Sequence, residues 1–118
     1  MSQIAVSIYH NPGCGTSRRT LELIRAQGIE PEIIEYLKTP PDRATLVRLL
    51  GAMQLSAREL LRTKEADYAR LDLGDERKSE AELIEQIAAH PVLMNRPIVV
   101  TVKGARLCRP AERVLEIL

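Results

Sequence analysis

Short apolar runs alternate with amphipathic segments along this chain, and their order predicts an α/β fold. Residues 4–9 are apolar and β-favouring, and they end in a polar turn at residues 10–13. Apolar positions after Ser17 recur at helical spacing and stop at Gly28, where a C-terminal cap is expected. A second short strand is predicted at residues 32–36. Because the connection is short, we expect these two strands to be parallel and joined by a right-handed crossover.

The middle of the chain predicts helices and no strands. Prolines at positions 40 and 41 end the opening unit, and Asp42 precedes a segment whose apolar residues share one helical face. Two later helix starts show the capping-box spacing, in which a glutamate follows a serine by three residues. They are Ser56 with Glu59 and Ser79 with Glu82. The second of these helices is predicted to end at His90.

The last third of the chain predicts a β-hairpin and a final helix. Residues 98–102 are rich in β-branched side chains, and Gly104 turns the chain into a shorter strand at residues 106–108. Pro110 then begins a helix. Three residues are expected on the apolar face of that helix: Val114, Leu115 and Leu118.

In order, these elements are β-α-β, a helical insert and β-β-α, which is the thioredoxin-like arrangement within the α/β class. We therefore predict a mixed four-stranded sheet and one domain over residues 1–118. Folds of this type place a cis-proline directly before the third strand, and Pro97 occupies that position.

The composition excludes several classes of protein. With 118 residues, 45% of them hydrophobic and 28% charged, the chain is expected to be a soluble globular monomer. Its aromatic residues are 3 tyrosines and its net charge is +1, so neither base stacking nor a basic surface points to nucleic acid. The first residues lack the basic region and cleavage pattern of a signal peptide, so we expect a cytoplasmic protein that does not enter a membrane.

Cys14 is the candidate catalytic residue of this chain. A thiol at the start of a helix meets free backbone N–H groups and the positive end of the helix dipole, which lower thiol pKa values to roughly 3.5–7.5. The same N–H groups favour a small oxyanion, and Gly13 and Gly15 leave room for a close approach. The sequence therefore favours a nucleophilic Cys14 over a buried structural thiol.

The neighbours of Cys14 limit the type of reaction. Ser17 stands three residues after Cys14, so no C-x-x-C disulfide can form and turnover must use an outside thiol. Cysteine phosphatases need an arginine six residues after the nucleophile, and Thr20 stands there. The histidines and cysteines also lack the close pairwise spacing of zinc ligands, so we expect no metal.

Four further residues are candidates for supporting roles. His10 is close enough in the sequence to lower the pKa of the Cys14 thiol as an imidazolium or to orient the loop by hydrogen bonds; the alternative is an exposed loop histidine. An oxyanion site also needs cations that bind several oxygens, and the planar guanidinium group of arginine can bind two oxygens at once. The arginines at element edges are Arg62, Arg96 and Arg109.

Three segments together carry a family resemblance: residues 10–18 (HNPGCGTSR), 95–100 (NRPIVV) and 106–110 (RLCRP). In this order and over nearly the whole chain, they resemble the glutaredoxin-dependent arsenate reductases. The resemblance implies that Cys14 attacks arsenate to form a covalent thiol–arsenate adduct, that glutathione then adds as co-substrate, and that glutaredoxin reduces this adduct without any bound cofactor. It also implies that His10 tunes Cys14 and that the oxyanion is held by Arg62, Arg96 and Arg109.

Two alternatives remain open from the sequence. A glutathione-linked reductase of another substrate, such as a mixed disulfide, would need Cys14 without all of the arginines. The same fold also resembles the non-enzymatic Spx-type regulators that bind RNA polymerase, although these use a C-x-x-C switch that Ser17 does not support. Cys108 is expected to be a core cysteine without a chemical role.

Overall fold

The computed structural model describes residues 5–118, and these residues form two compact units. The first unit contains Arg96–Leu118 together with the chain up to Thr39, and the second is Pro40–Asn95. One domain over residues 1–118 stays a prediction, because compactness alone does not reveal whether two units unfold together. None of the helices within residues 5–118 has the length and apolar character that crossing a bilayer would require.

A mixed four-stranded sheet forms the centre of the first unit, as predicted. Its order is β2-β1-β3-β4, with β1 parallel to β2 and both other pairs antiparallel. The strands are β1 (Ser7–His10), β2 (Glu32–Glu35), β3 (Ile98–Thr101) and β4 (Gly104–Leu107). Strand β1 differs from the prediction, because the described residues 5 and 6 precede it and His10 belongs to it and not to the turn; Ile4, where the predicted strand begins, lies outside the described residues.

One face of this sheet is covered by helix α1 (Gly15–Ala26) and a 3-10 helix at Ala111–Glu116. Their shared core consists of Val6, Ile8, Leu21, Ile24, Val99, Cys108, Val114 and Ile117. The predicted apolar face of the last helix was wrong at Leu115, which is 47% exposed. The helix is 3-10 and repeats every three residues, so its buried positions are Ala111 and Val114, and Ile117, directly after its last residue, continues the buried row.

The second unit is helical, as predicted. Its helices are α2 (Arg43–Met53), α3 (Ala57–Leu60), α4 (Ala66–Arg70), α5 (Glu80–Ala89) and a 3-10 turn at Pro91–Leu93. Helices α2 and α3 both pack against α5. The sequence did not predict α4, because this helix buries none of its residues and so shows no apolar periodicity.

Both predicted capping boxes are present, and the one at Ser79 allows a stability test. The Ser79 hydroxyl accepts from the Glu82 N–H, and the Glu82 carboxylate accepts from the Ser79 N–H, each at 3.2 Å. We expect Ser79→Ala to lower the free energy of unfolding by about 1 kcal/mol, because a helix N–H then loses its acceptor. Urea unfolding measures this as a lower midpoint at constant slope. The control is Glu85→Ala on the exposed side of α5; an equal loss in both variants would contradict the capping role.

Candidate active site

Cys14 lies where the sequence placed it, directly before the first turn of α1. It is the N-cap residue, with φ −101° and ψ 122°, and its carbonyl accepts from the Arg18 N–H at 3.0 Å. The preceding turn is held by Asn11, whose carbonyl accepts from the Cys14 N–H at 3.0 Å and whose side chain accepts from the Gly13 N–H at 2.9 Å. This backbone fixes the thiol at the end of β1.

The surroundings of the Cys14 sulfur favour its thiolate. The residue is buried, which by itself raises the pKa, but several groups outweigh burial and the net pKa of Cys14 is lowered. These groups are the backbone N–H of Ser17, the charge of Arg96, the backbone N–H of Thr16 and the side chain of Arg109. The helix start and two guanidinium groups therefore act together on one sulfur atom, as a nucleophilic thiol requires.

Sheet topology explains why Arg96 and Arg109 meet at this thiol. Strands β3 and β4 are antiparallel, so the residues before β3 lie beside those after β4, and Ile98 pairs with both Leu107 and Tyr9. The C-terminal end of β1 and both arginines thus lie at the same end of the sheet. Arg109 Nη1 lies 3.9 Å from the Cys14 sulfur and donates to the Arg96 carbonyl at 3.1 Å.

Each of these arginines precedes a cis-proline. The Arg96–Pro97 bond is cis, which is the geometry expected for Pro97, and the Arg109–Pro110 bond is cis as well. Near the first of these bonds, the Pro97 carbonyl accepts from the Cys108 N–H at 2.9 Å, which joins the two arginine segments. The second cis-proline was not predicted from the sequence.

His10 does not match the exposed alternative, because it is only 6% exposed. Its Nδ1 shares a 2.7 Å hydrogen bond with the Ser17 hydroxyl, which also accepts from the Asn11 N–H at 3.1 Å. Burial lowers the pKa of His10, and the charges of Arg25 and Arg18 add to this effect, whereas Glu35 opposes it. A lowered pKa favours neutral imidazole at neutral pH, so the geometry favours the orienting role over the charged one.

Sequence reasoning missed the contacts of Asn11 and Ser17. In the sequence, Ser17 is informative only as the residue that replaces a second cysteine. In the structure its hydroxyl links His10 to the turn, and its N–H faces the Cys14 sulfur. The available signal was the preference of asparagine and serine side chains for bonding to nearby backbone groups in turns and at helix starts.

Arg62 belongs to the second unit and follows α3 by two residues. Its Nη1 forms an ion pair with Glu65 Oε2 at 3.2 Å and donates to the Val92 carbonyl at 3.3 Å. The Arg62 backbone N–H also donates to the Leu93 carbonyl at 2.9 Å. These contacts fix the side chain within its own unit, and its predicted role in anion binding stays a prediction.

Cys108 is fully buried in the core of the first unit, as expected for a structural cysteine. Burial raises the pKa of Cys108 to about 12. Its sulfur lies 3.6 Å from the Arg106 carbonyl oxygen. Within residues 5–118, no group of three His, Cys, Asp or Glu side chains is arranged to hold a metal ion.

The two cysteines should therefore differ in their reaction with iodoacetamide. Because the pKa of Cys14 is lowered, its alkylation rate should rise through a midpoint below that of an ordinary thiol, about 8.5, and then level off. Cys108 should stay unlabelled in the folded protein at pH 7. Peptide mass spectrometry checks both sites, with urea-unfolded protein as the control in which both react. Faster labelling of Cys108 than of Cys14 would contradict this account.

Comparison with known proteins agrees with the site. The model of the ArsC family matches residues 9–117. The chain is 55% identical over 113 residues to "Arsenate reductase" of Escherichia coli (strain K12), covering 96% of this chain and 80% of that protein. It is 52% identical over 115 residues to "Arsenate reductase" of Rhizobium meliloti (strain 1021), covering 98% and 82%. The solved structure of "Arsenate reductase from Vibrio cholerae" superposes with a TM-score of 0.96 at 47% identity, covering 99% of this chain and 100% of that one. With the mixed sheet, the cysteine turn and the two arginine–proline segments all in place, this chain belongs to the ArsC family.

Proposed function

We propose that this protein is an arsenate reductase that converts arsenate to arsenite through a covalent adduct on Cys14, with glutathione and glutaredoxin as reductants. One observation carries the proposal: the Cys14 sulfur, at the start of α1, lies 3.9 Å from the Arg109 guanidinium in a chain of the ArsC family. Relatives that are 52% and 55% identical to it are named arsenate reductase.

Anion binding follows from the charges at the turn. Arsenate is a tetrahedral oxyanion, and a thiolate approaches it only when the negative charges of its oxygens are neutralised. The guanidinium groups of Arg96 and Arg109 supply this charge beside the sulfur, and each can hold two oxygens. The N–H groups of Thr16 and Ser17 add dipoles aimed at the same place. We assign Arg62 as the third cation of this set, following the family resemblance.

The reaction then consists of four steps. The Cys14 thiolate attacks arsenic(V), a sulfur–arsenic bond forms, and one arsenic–oxygen bond breaks with its oxygen leaving as water. Glutathione adds to the arsenic in the same way and releases a second water. A glutaredoxin thiolate then attacks the glutathione sulfur, so that a glutaredoxin–glutathione disulfide forms and the bonding pair stays on arsenic, now arsenic(III). Hydrolysis releases arsenite and returns Cys14 as a thiol.

His10 acts in this scheme as a positioning residue. Its hydrogen bond to Ser17 holds the first turn of α1, whose N–H groups lower the pKa of the Cys14 thiol. No bound cofactor is needed, since every electron comes from a thiol. We propose a cytoplasmic location, because glutathione keeps thiols reduced in the cytoplasm. We also propose that the protein is a monomer of one domain.

The proposal is tested by coupled NADPH oxidation with glutathione, glutathione reductase and glutaredoxin. Arsenate should start turnover, and an equal concentration of phosphate, an oxyanion of the same shape, should not. Turnover with a mixed-disulfide substrate but none with arsenate would replace the proposal by a glutathione-linked thiol reductase. Turnover with neither, together with capture of RNA polymerase subunits, would favour the regulator.

A further inference from the structure

Two neighbouring arginines near the start of α1, Arg18 and Arg19, differ in their ion pairs and hydrogen bonds. Arg19 is paired twice, with Glu22 at 3.5 Å and with Glu112 at 3.8 Å. Arg18 donates to the Pro12 carbonyl at 2.7 Å, and no carboxylate in the part of the chain described by the structure forms an ion pair with it. Arg18 is therefore an exposed cation whose charge no neighbouring carboxylate neutralises.

The hydrogen bond to Pro12 fixes the Arg18 guanidinium on the outer side of the cysteine turn. Its Nη2 lies 3.8 Å from the position that a Cβ atom would take on Gly15, the residue next to Cys14. Pro12, Gly13 and Gly15 are all exposed, so this side of the turn is open to a ligand. A guanidinium has five N–H donors and the Pro12 carbonyl uses one of them, which leaves donors for a carboxylate.

Arg18 makes a different contact from the arginine at the sulfur: it donates to the Pro12 carbonyl, whereas Arg109 Nη1 lies 3.9 Å from the Cys14 sulfur. The groups that lower the pKa of Cys14 include Arg96 and Arg109 but not Arg18. Arg18 instead acts on His10, whose pKa is lowered mainly by burial and, to a smaller extent, by the Arg18 charge. Arg96 and Arg109 thus act on the sulfur, and Arg18 adds a third positive charge on the exposed side of the same turn.

We propose that Arg18 binds a carboxylate of glutathione and so directs the co-substrate thiol to the reaction centre at Cys14, where it adds to the arsenic bound to that residue. The assignment rests on the proposed function, which requires glutathione. Glutathione carries two carboxylates and one ammonium group, with its thiol between them, so a guanidinium at the turn can hold one end while the thiol reaches the reaction centre. The planar fork of arginine suits a carboxylate in two-point contact.

Thiol–disulfide exchange tests the proposal without arsenate, so its failure can be told apart from failure of the proposed function. The Cys14 thiolate attacks oxidised glutathione, the Cys14–glutathione disulfide forms, and one glutathione thiolate leaves. The probe pair is oxidised glutathione and hydroxyethyl disulfide, which has no charge. Arg18→Ala should slow the first reaction about two- to fivefold, the upper part of the range for an exposed ion pair, and this difference should shrink in 1 M salt.

The controls separate charge from structure. Arg18→Ala should leave the reaction with hydroxyethyl disulfide unchanged, and Arg19→Ala should leave both reactions unchanged, because Arg19 is already paired with carboxylates. In the arsenate assay, Arg18→Ala should raise the KM for glutathione and not that for arsenate. Equal slowing with both disulfides, no slowing with either, or a raised KM for arsenate alone would overturn the assignment.

Discussion

Replacing Cys14 with serine is expected to abolish arsenate-dependent turnover, with a loss of at least about a thousandfold in kcat. The reason is the ionisation of the side chain: the groups that lower the pKa of Cys14 favour its thiolate, whereas a serine hydroxyl stays protonated at neutral pH. The measurement is the coupled NADPH assay with saturating arsenate, compared between wild type and Cys14→Ser.

The matched control for this variant is Cys108→Ala. Both changes remove a buried thiol, but Cys108 lies in the core and burial raises its pKa to about 12. We expect Cys108→Ala to keep its turnover within about twofold while losing some stability through the cavity it leaves. Full activity in Cys14→Ser, or equal loss in the two variants, would contradict the assignment of the nucleophile.

Removing either guanidinium at the thiol is expected to have the second largest effect. Arg96→Ala and Arg109→Ala should each lower kcat/KM for arsenate by about 100- to 1000-fold, the usual cost of losing a charged donor at a developing anion. Part of the loss comes from the thiol, since both arginines lower the pKa of Cys14. With the charge gone this pKa rises, so less thiolate is present at pH 7, and raising the pH should recover that part only.

Two further variants serve as controls: Arg77→Ala removes an arginine elsewhere in the chain, and Arg109→Lys keeps the positive charge but not the guanidinium. Arg77 is exposed, with a side chain 91% accessible, and is paired with Asp75, so Arg77→Ala should leave arsenate kinetics unchanged. Arg109→Lys should recover part of the thiol ionisation but less of the arsenate binding, because an ammonium lacks the fork. Stopped-flow alkylation gives the thiol pKa, and steady-state kinetics give kcat/KM. Equal kinetics in Arg109→Ala and Arg77→Ala would refute the anion site.

Local sequence signals predicted the elements that carry the site. The capping boxes at Ser56 and Ser79 predicted two helix starts, because side-chain caps are local interactions that depend on three-residue spacing. The position of Cys14 at a helix start followed in the same way from the strand and the glycines around it. The meeting of Arg96 and Arg109 could be expected from the family resemblance, but their geometry depends on strand pairing across the sheet.

Features that depend on tertiary packing could not be predicted. The burial of His10 and its hydrogen bond to Ser17 arise where β1 meets α1, and no local pattern marks them. The final helix was expected to bury Leu115, yet its 3-10 geometry buries Ala111 and Val114 and leaves Leu115 exposed. Helix α4 was missed because all of it remains outside the core. Short helices of this kind are decided by a few contacts that propensity does not capture.

The most direct test of the central claim is arsenic X-ray absorption of protein frozen after mixing with arsenate and glutathione but without glutaredoxin, so that the reaction stops at the adduct. If Cys14 is the nucleophile, the wild-type spectrum should contain arsenic–sulfur scattering in protein separated from free glutathione, and the Cys14→Ser spectrum should contain arsenic–oxygen scattering alone. Arsenic bound only to oxygen in the wild type, or an arsenic–sulfur bond of equal amount in Cys14→Ser, would contradict the account.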